Sequence, residues 1–194
     1  MDNNGEMEVL SQFLELSDED PATIYELFER HGWGDGLPLV APTDKRVTEM
    51  LSHVKASPEE VLAVLPPRGG SATYRAVAVN AVLAGCKPEY FPIVVEAVKA
   101  LGSQKINLRG VNTTTHPVAP LLIVHGRVVD ELGFNSGLGT FGPGNRANAT
   151  VGRAMRLVLL HIAGAVPGPG DASTQGQPSK YTYCIAENQK ENPW

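Results

Sequence analysis

"SATYRAVAVNAVLAGCKPEYFPIVVEAVKALG", residues 71–102, is the stretch whose reading decides the fold. Tyr74, Val77, Ala78, Ala81, Val82 and Gly85 recur at helical spacing and make one apolar face, which predicts a helix over 71–85. Pro88 opens a second helix, "PEYFPIVVEAVKAL", that ends at Gly102. Its internal Pro92 falls within the first turn or two, where a missing N–H costs less than in mid-helix. The short "GCK" link makes the two helices an antiparallel pair. Arg75 and Asn80 interrupt the apolar helix, and Asn80, bordering its buried face, is expected to find a backbone partner there.

Upstream of this pair, residues 1–19 are acidic and lack a sharp period, so they read as a tail or a weak partner-binding arm. Asp20 and Pro21 make a helix start, with the aspartate as cap and the proline at the first helical position. Ile24, Leu27 and Phe28 then share one side of "ATIYELFERHGW". We therefore divide the chain into 1–29, an acidic tail and the start of a first helix, and a globular domain over 30–194. "GDGLPLVAPT" reads as a turn and a short extended segment, and Thr43 caps the next helix, "DKRVTEMLSHV". "SPEE" at 57–60 fits a capping box, while "EEVLAVLPP" suits helix and strand equally.

Downstream the character changes. "INLRGVN" and "APLLIVHG" read as strands, the second so apolar that it is expected in the middle of a sheet. A run with Gly133, Gly137, Gly139, Gly142 and Gly144 leads into a helix from about 146 to 163. "PGPGDASTQGQPSK" is a loop, and "YTYCIAE" a closing strand. The expected fold is α/β or α+β: a single domain with a small mixed sheet covered by helices, and a glycine-rich loop before a long C-terminal helix.

Bulk properties exclude several classes. With 194 residues the chain suits one domain with a real core. A net charge of −5 and scattered basic residues remove the electrostatic footprint of a nucleic-acid binder or a polybasic membrane patch. The longest apolar run, "LVLLHIAGAV" from Leu157 to Val166, falls short of the ~20 residues that span a bilayer. The N-terminal segment has no basic region or long apolar core of a signal peptide, so a cytoplasmic location is expected. Cys86 and Cys184 are the only cysteines, too few for a disulfide framework or a Cys-rich zinc site.

The densest polar chemistry lies in "FGPGNRANATVGRA", residues 141–154. Gly142 and Gly144 let the backbone approach a ligand, and the following helix offers free N–H groups and the positive end of its dipole. Arg146, Thr150 and Arg153 share one helix face, so two guanidinium groups could clamp an anion, with Asn145 and Asn148 beside them. No Lys-Ser/Thr pair makes it a Walker loop, and no apolar strand feeds it as in a dinucleotide fingerprint. The competing reading is a turn with Asn145 as helix cap and the arginines paired to acids.

In "GVNTTTHPVAP", Asn112, Thr114 and His116 precede an apolar strand, where loop residues reach an active-site mouth. His116 is a candidate general acid or base and the one candidate metal ligand, with a hydrogen-bonded turn as the plain alternative. Glu187, behind Cys184, is a second candidate proton carrier, whereas Cys184 has no basic neighbour close by and reads as core, and Cys86, next to Gly85 at a helix end, reads as structural. Trp33 and Asp35 sit in a glycine-rich turn after His31. The five histidines show no H-x-x-x-H spacing, and the sequence assigns no cofactor.

"WGDGLPLVAPT", "VLAVLPPRGG", "NAVLAGCKPEYFP", "TTTHPVAPLLIV", "NSGLGTFGPGNRANATVGRAMRLVLL" and "YTYCIAENQKENPW" together resemble the C-terminal half of the bacterial (seleno)proteins named for their U-G-S-C motif. The resemblance covers roughly residues 30–194. It implies a redox-active or nucleophilic selenocysteine or cysteine in the other half of those proteins. This chain has no C-G-S-C or similar motif, and neither Cys86 nor Cys184 maps onto that site. The resemblance thus implies a heteromeric enzyme acting on a small anionic or sulfur-containing metabolite. A second subunit would carry the Cys or Sec motif, and this chain would supply substrate-binding loops. The alternatives are a non-catalytic binding or assembly subunit and a self-sufficient homo-oligomeric enzyme.

Overall fold

The predicted helix at 71 begins three residues late, because its first residues are spent on a strand. In the computed structural model, which describes residues 20–193, Gly70–Thr73 (β2) pairs antiparallel with Val61–Leu65 (β1), and Thr73 then caps Tyr74–Leu83 (α3) by accepting from the Ala76 N–H at 3.1 Å. Gly70 is required here: a Cβ would lie 2.0 Å from the Ile162 carbonyl oxygen. The hairpin settles the ambiguous "EEVLAVLPP" as strand and overturns the capping box, since Ser57 and Glu60 close a turn and no helix follows.

The other helices are Pro21–Arg30 (α1), Asp44–Leu51 (α2), Phe91–Leu101 (α4), Leu108–Asn112 (α5), Val128–Leu132 (α6) and Arg146–His161 (α7). Asp20 caps α1 through the Ala22 and Thr23 amides, and Thr43 caps α2, both as the sequence predicts. Ile24 and Phe28 pack α1 into the common core, so the globular body begins before residue 30. The expected acidic arm, residues 1–19, lies outside the described residues.

α7 is the central element. Val151, Ala154, Leu157 and Val158 are fully enclosed, as are Val77, Ala78 and Ala81 of α3 and Val94 and Val98 of α4, the two helices that pack on α7, and Cys184–Ala186 (β4) lies against the same helix. Gly152 permits that last contact, because a Cβ there would stand 2.3 Å from the Thr182 hydroxyl and 2.8 Å from the Tyr183 amide. The fold is mixed α/β and dominated by helices.

Two strand readings need correction. "INLRGVN" is a short helix, α5, because the Asn107 side chain accepts from the Gly110 N–H at 3.1 Å and caps it. "APLLIVHG" contributes only Leu122–Val124 (β3), paired in parallel with β4 alone, and its Ile123 is 50% exposed. It is therefore not a central strand. The sheet expected as one is divided into the β1–β2 hairpin and the β3–β4 pair, because helices carry the core.

Candidate functional site

The helix entrance is built from Asn145 and Asn148. Asn145 caps α7 by accepting from the Asn148 N–H at 2.9 Å, and its own amide donates to the Gly133 carbonyl at 2.8 Å. Asn148 is buried; it accepts from the Asn135 N–H and donates to the carbonyls of Asn135 and Thr140. Together they close the glycine-rich loop into an Ω-shaped turn on the end of α7. Gly144, at φ +112°, supplies a backbone conformation that side chains disfavour, and no heavy atom lies within 4 Å of where its Cβ would be.

Arg146 donates from Nε and Nη2 to the Gly85 carbonyl at 3.1 and 3.0 Å, capping the C-terminal end of α3. Arg153 is held elsewhere: a two-pronged pair with Asp35 at 2.8 and 2.7 Å, and further bonds to the carbonyls of Leu37 and Pro38. The two guanidinium groups expected to clamp one anion thus serve different partners. Burial pushes the Asp35 carboxyl up, but the Arg153 hydrogen bonds and charge and the Leu37 N–H outweigh it, and its pKa lies below the ordinary carboxylate value.

One turn further along α7, the balance of donors and acceptors reverses. Arg156, Asp171 and Lys180 line a groove of about 600 Å³ whose walls are Gly34 and Asp35 on one side and residues 173–178 on the other. Lys180 Nζ meets Asp171 Oδ2 at 2.7 Å, while Arg156 Nη1 is 3.7 Å from that same oxygen. The other Asp171 oxygen accepts from the Ser173 N–H. Arg156 makes one hydrogen bond, to the Ala165 carbonyl at 3.2 Å, out of the five its guanidinium can donate. Burial lowers its pKa, yet a guanidinium stays charged in a protein. Asp35 is neutralised by Arg153, which itself does not line the groove, so Arg156 and Lys180 stand against Asp171 alone and leave one surplus positive charge.

The same three side chains border a smaller cavity of about 30 Å³, lined also by Asn112, Val118, Pro120, Met155, Leu159, Ser179 and Tyr183. Ser179 Oγ is the one buried side-chain N or O atom among the described residues without a hydrogen-bond partner.

Asn112, predicted as a binding residue, does line this cavity, with its amide donating to the Pro66 carbonyl at 2.9 Å. Thr114 and His116 form an exposed turn in which the Thr114 hydroxyl lies 3.3 Å from His116 Nδ1. That turn is laced to the groove wall, since Thr174 donates to the Thr115 carbonyl from both N–H and hydroxyl, and Gln177 donates to the Pro117 carbonyl. Glu187 lines neither space; its carboxylate accepts from Asn192 and Gln189 just beyond β4. Among the described residues no three His, Cys, Asp or Glu side chains are placed to hold a metal ion, so His116 gains no co-ligands. Burial pushes both cysteine thiols up to about 12, Cys86 helped back only slightly by Thr150 and Arg146.

Arg156, Asp171, Lys180 and Ser179 were missed in the sequence. The available signal was Arg156 one turn beyond Arg153, facing an acidic residue in a glycine-proline loop. No family model, curated protein or solved structure matches the chain. No helix among the described residues is long and apolar enough to cross a membrane.

Proposed function

We propose that this chain binds a small anionic metabolite in the groove beside α7, as one subunit of a heteromeric enzyme. The observation that carries the reading is the mismatch of two cations, Arg156 and Lys180, sharing the single carboxylate of Asp171. A partly enclosed cation with most of its donors unengaged gains strongly from an anion, whose charge-assisted hydrogen bonds are about twice as strong as neutral ones. The turn that carries His116 is hydrogen-bonded to Thr174 and Gln177 of the groove lining through the Thr115 and Pro117 carbonyls, which supports His116 as the candidate acid or base for a ligand held there.

The heteromeric part rests on the resemblance to the U-G-S-C proteins and on the cysteines. A thiol with a pKa near 12 is protonated at neutral pH and is a poor nucleophile. Thiol or selenol chemistry would therefore come from a second chain.

The test is a titration of the purified protein with small carboxylates and inorganic phosphate, read by calorimetry, for the native chain and for Arg156→Gln and Lys180→Gln. Binding that weakens at least tenfold in both variants supports the groove. Binding unchanged in both overturns it. Native mass spectrometry of the chain purified from its own host tests the second subunit, and a homo-oligomer alone would exclude it.

A further inference from the structure

Resting on the groove reading, we infer that the ligand is a short carboxylate carrying a hydrogen-bonding group two or three atoms from its charged end, with Ser179 as the residue that recognises that group. Three observations lead there. The groove's surplus is a single positive charge, which one carboxylate balances and a dianionic phosphate overshoots. Arg156 and Lys180 border both the groove and the smaller cavity, so an anion held between their charged ends has its remainder at the cavity mouth.

The cavity then limits what that remainder is. A water needs roughly 10–15 Å³ on this measure, so the 30 Å³ present accept about two or three non-hydrogen atoms. Beyond the charged Arg156, Asp171 and Lys180, its lining combines the apolar Val118, Pro120, Met155 and Leu159 with the polar Asn112, Tyr183 and Ser179, and the Ser179 hydroxyl is enclosed. A buried hydroxyl without a partner is unfavourable, and a ligand oxygen that meets it removes that cost on binding. A hydroxyl or carbonyl on a chain of three or four carbons satisfies both the volume and the orphaned group.

The experiment compares propionate, butyrate, 2-hydroxypropionate, 3-hydroxybutyrate, 3-oxobutyrate and octanoate, followed through the Met155 methyl signal by NMR. Native protein is expected to bind at least one oxygenated acid roughly three- to tenfold more tightly than its plain counterpart. Octanoate should bind at least tenfold more weakly than butyrate. In Ser179→Ala the oxygenated preference should vanish while propionate affinity stays the same. Since Ser179 Oγ bonds to nothing in the protein, this variant is expected to fold as the native chain does. A preference that survives in Ser179→Ala, or octanoate binding as well as butyrate, overturns this inference and leaves the groove standing. Carboxylate binding unchanged in Arg156→Gln overturns the groove itself, and the inference with it.

Discussion

The entrance of α7 and the groove beside its later turns carry similar residues and do opposite things. At its entrance, Asn145, Arg146 and Asn148 direct their side chains to the carbonyls of Gly133, Gly85, Asn135 and Thr140 and to the amides of Asn135 and Asn148. Two turns on, Arg156 and Lys180 compete for one carboxylate, and a serine hydroxyl beside them has no partner. The density of polar residues is greater at the entrance, but the imbalance is in the groove. Polar density in a sequence marks where a chain needs hydrogen bonds, and it is the imbalance left after folding that marks a site.

Asp35 gives the most severe test of that contrast. Its pair with Arg153 is largely enclosed, with side-chain exposures of 5% and 14%, and it fixes the groove's inner wall. Asp35→Ala leaves a buried guanidinium without its counter-charge and should cost about 3–5 kcal/mol in urea unfolding. The double variant Asp35→Leu, Arg153→Met should recover much of this. A loss of under about 1 kcal/mol would place the pair with exposed ones such as Lys190–Asp130.

His161 comes next, and it acts through pH. Its ring nitrogens lie 2.6 Å from Asn80 Oδ1 and 2.8 Å from the Trp33 carbonyl, which ties the start of the groove wall to the end of α7. Two facing oxygens suit a charged ring, and the residue keeps partial exposure. Enclosure of the nitrogens dominates, and burial pulls the pKa down to about 4. The unfolded ring titrates near 6.5, so between about 6.5 and 4 the unfolded chain binds the extra proton. Acidification through that window should therefore remove up to about 3 kcal/mol. Asp35 acts lower: its contribution is present above the ordinary carboxylate value and is lost as pH falls through its depressed one. His161→Gln should flatten the slope between pH 6.5 and 4. An unaltered slope would assign it to other groups.

These residues also explain what could be read in advance. Caps are local, so Asp20, Thr43 and Asn145 were legible from a few neighbouring letters. The helix face from Tyr74 to Val82 was legible because burial repeats along it. By contrast β2 looked like the start of a helix, because its pairing with β1 depends on a hairpin and on Gly70 passing the Ile162 carbonyl. The groove was least legible of all. Arg156 and Asp171 are 15 positions apart in the chain, and only the turn from Val166 back to Asp171 brings the carboxylate to α7.

Asn148 is the matching test at the entrance. Asn148→Ala strips partners from the Asn135 amide and from the carbonyls of Asn135 and Thr140. The expected cost is about 1–3 kcal/mol, with faster amide exchange at Asn135. Carboxylate affinity should hold. Native exchange at Asn135 would show that the loop does not depend on this residue.

Arg146→Ala carries the smallest expected effect and decides most about the comparison. The side chain is exposed and its two bonds go to a single helix-end carbonyl, so its removal should cost under about 1 kcal/mol. Its charge also draws the Cys86 thiol slightly down, so the variant should leave that thiol no more reactive toward an aromatic disulfide reagent. Carboxylate binding should be unchanged, in contrast to Arg156→Gln. Both arginines lie on the same helix, so a general loss of positive charge would weaken binding in both variants alike. A loss confined to Arg156→Gln would instead depend on position, because Arg156 has donors to spare and Arg146 is occupied by the Gly85 carbonyl. If Arg146→Ala abolished binding and Arg156→Gln did not, the contrast between entrance and groove would be inverted and the helix entrance would be the site.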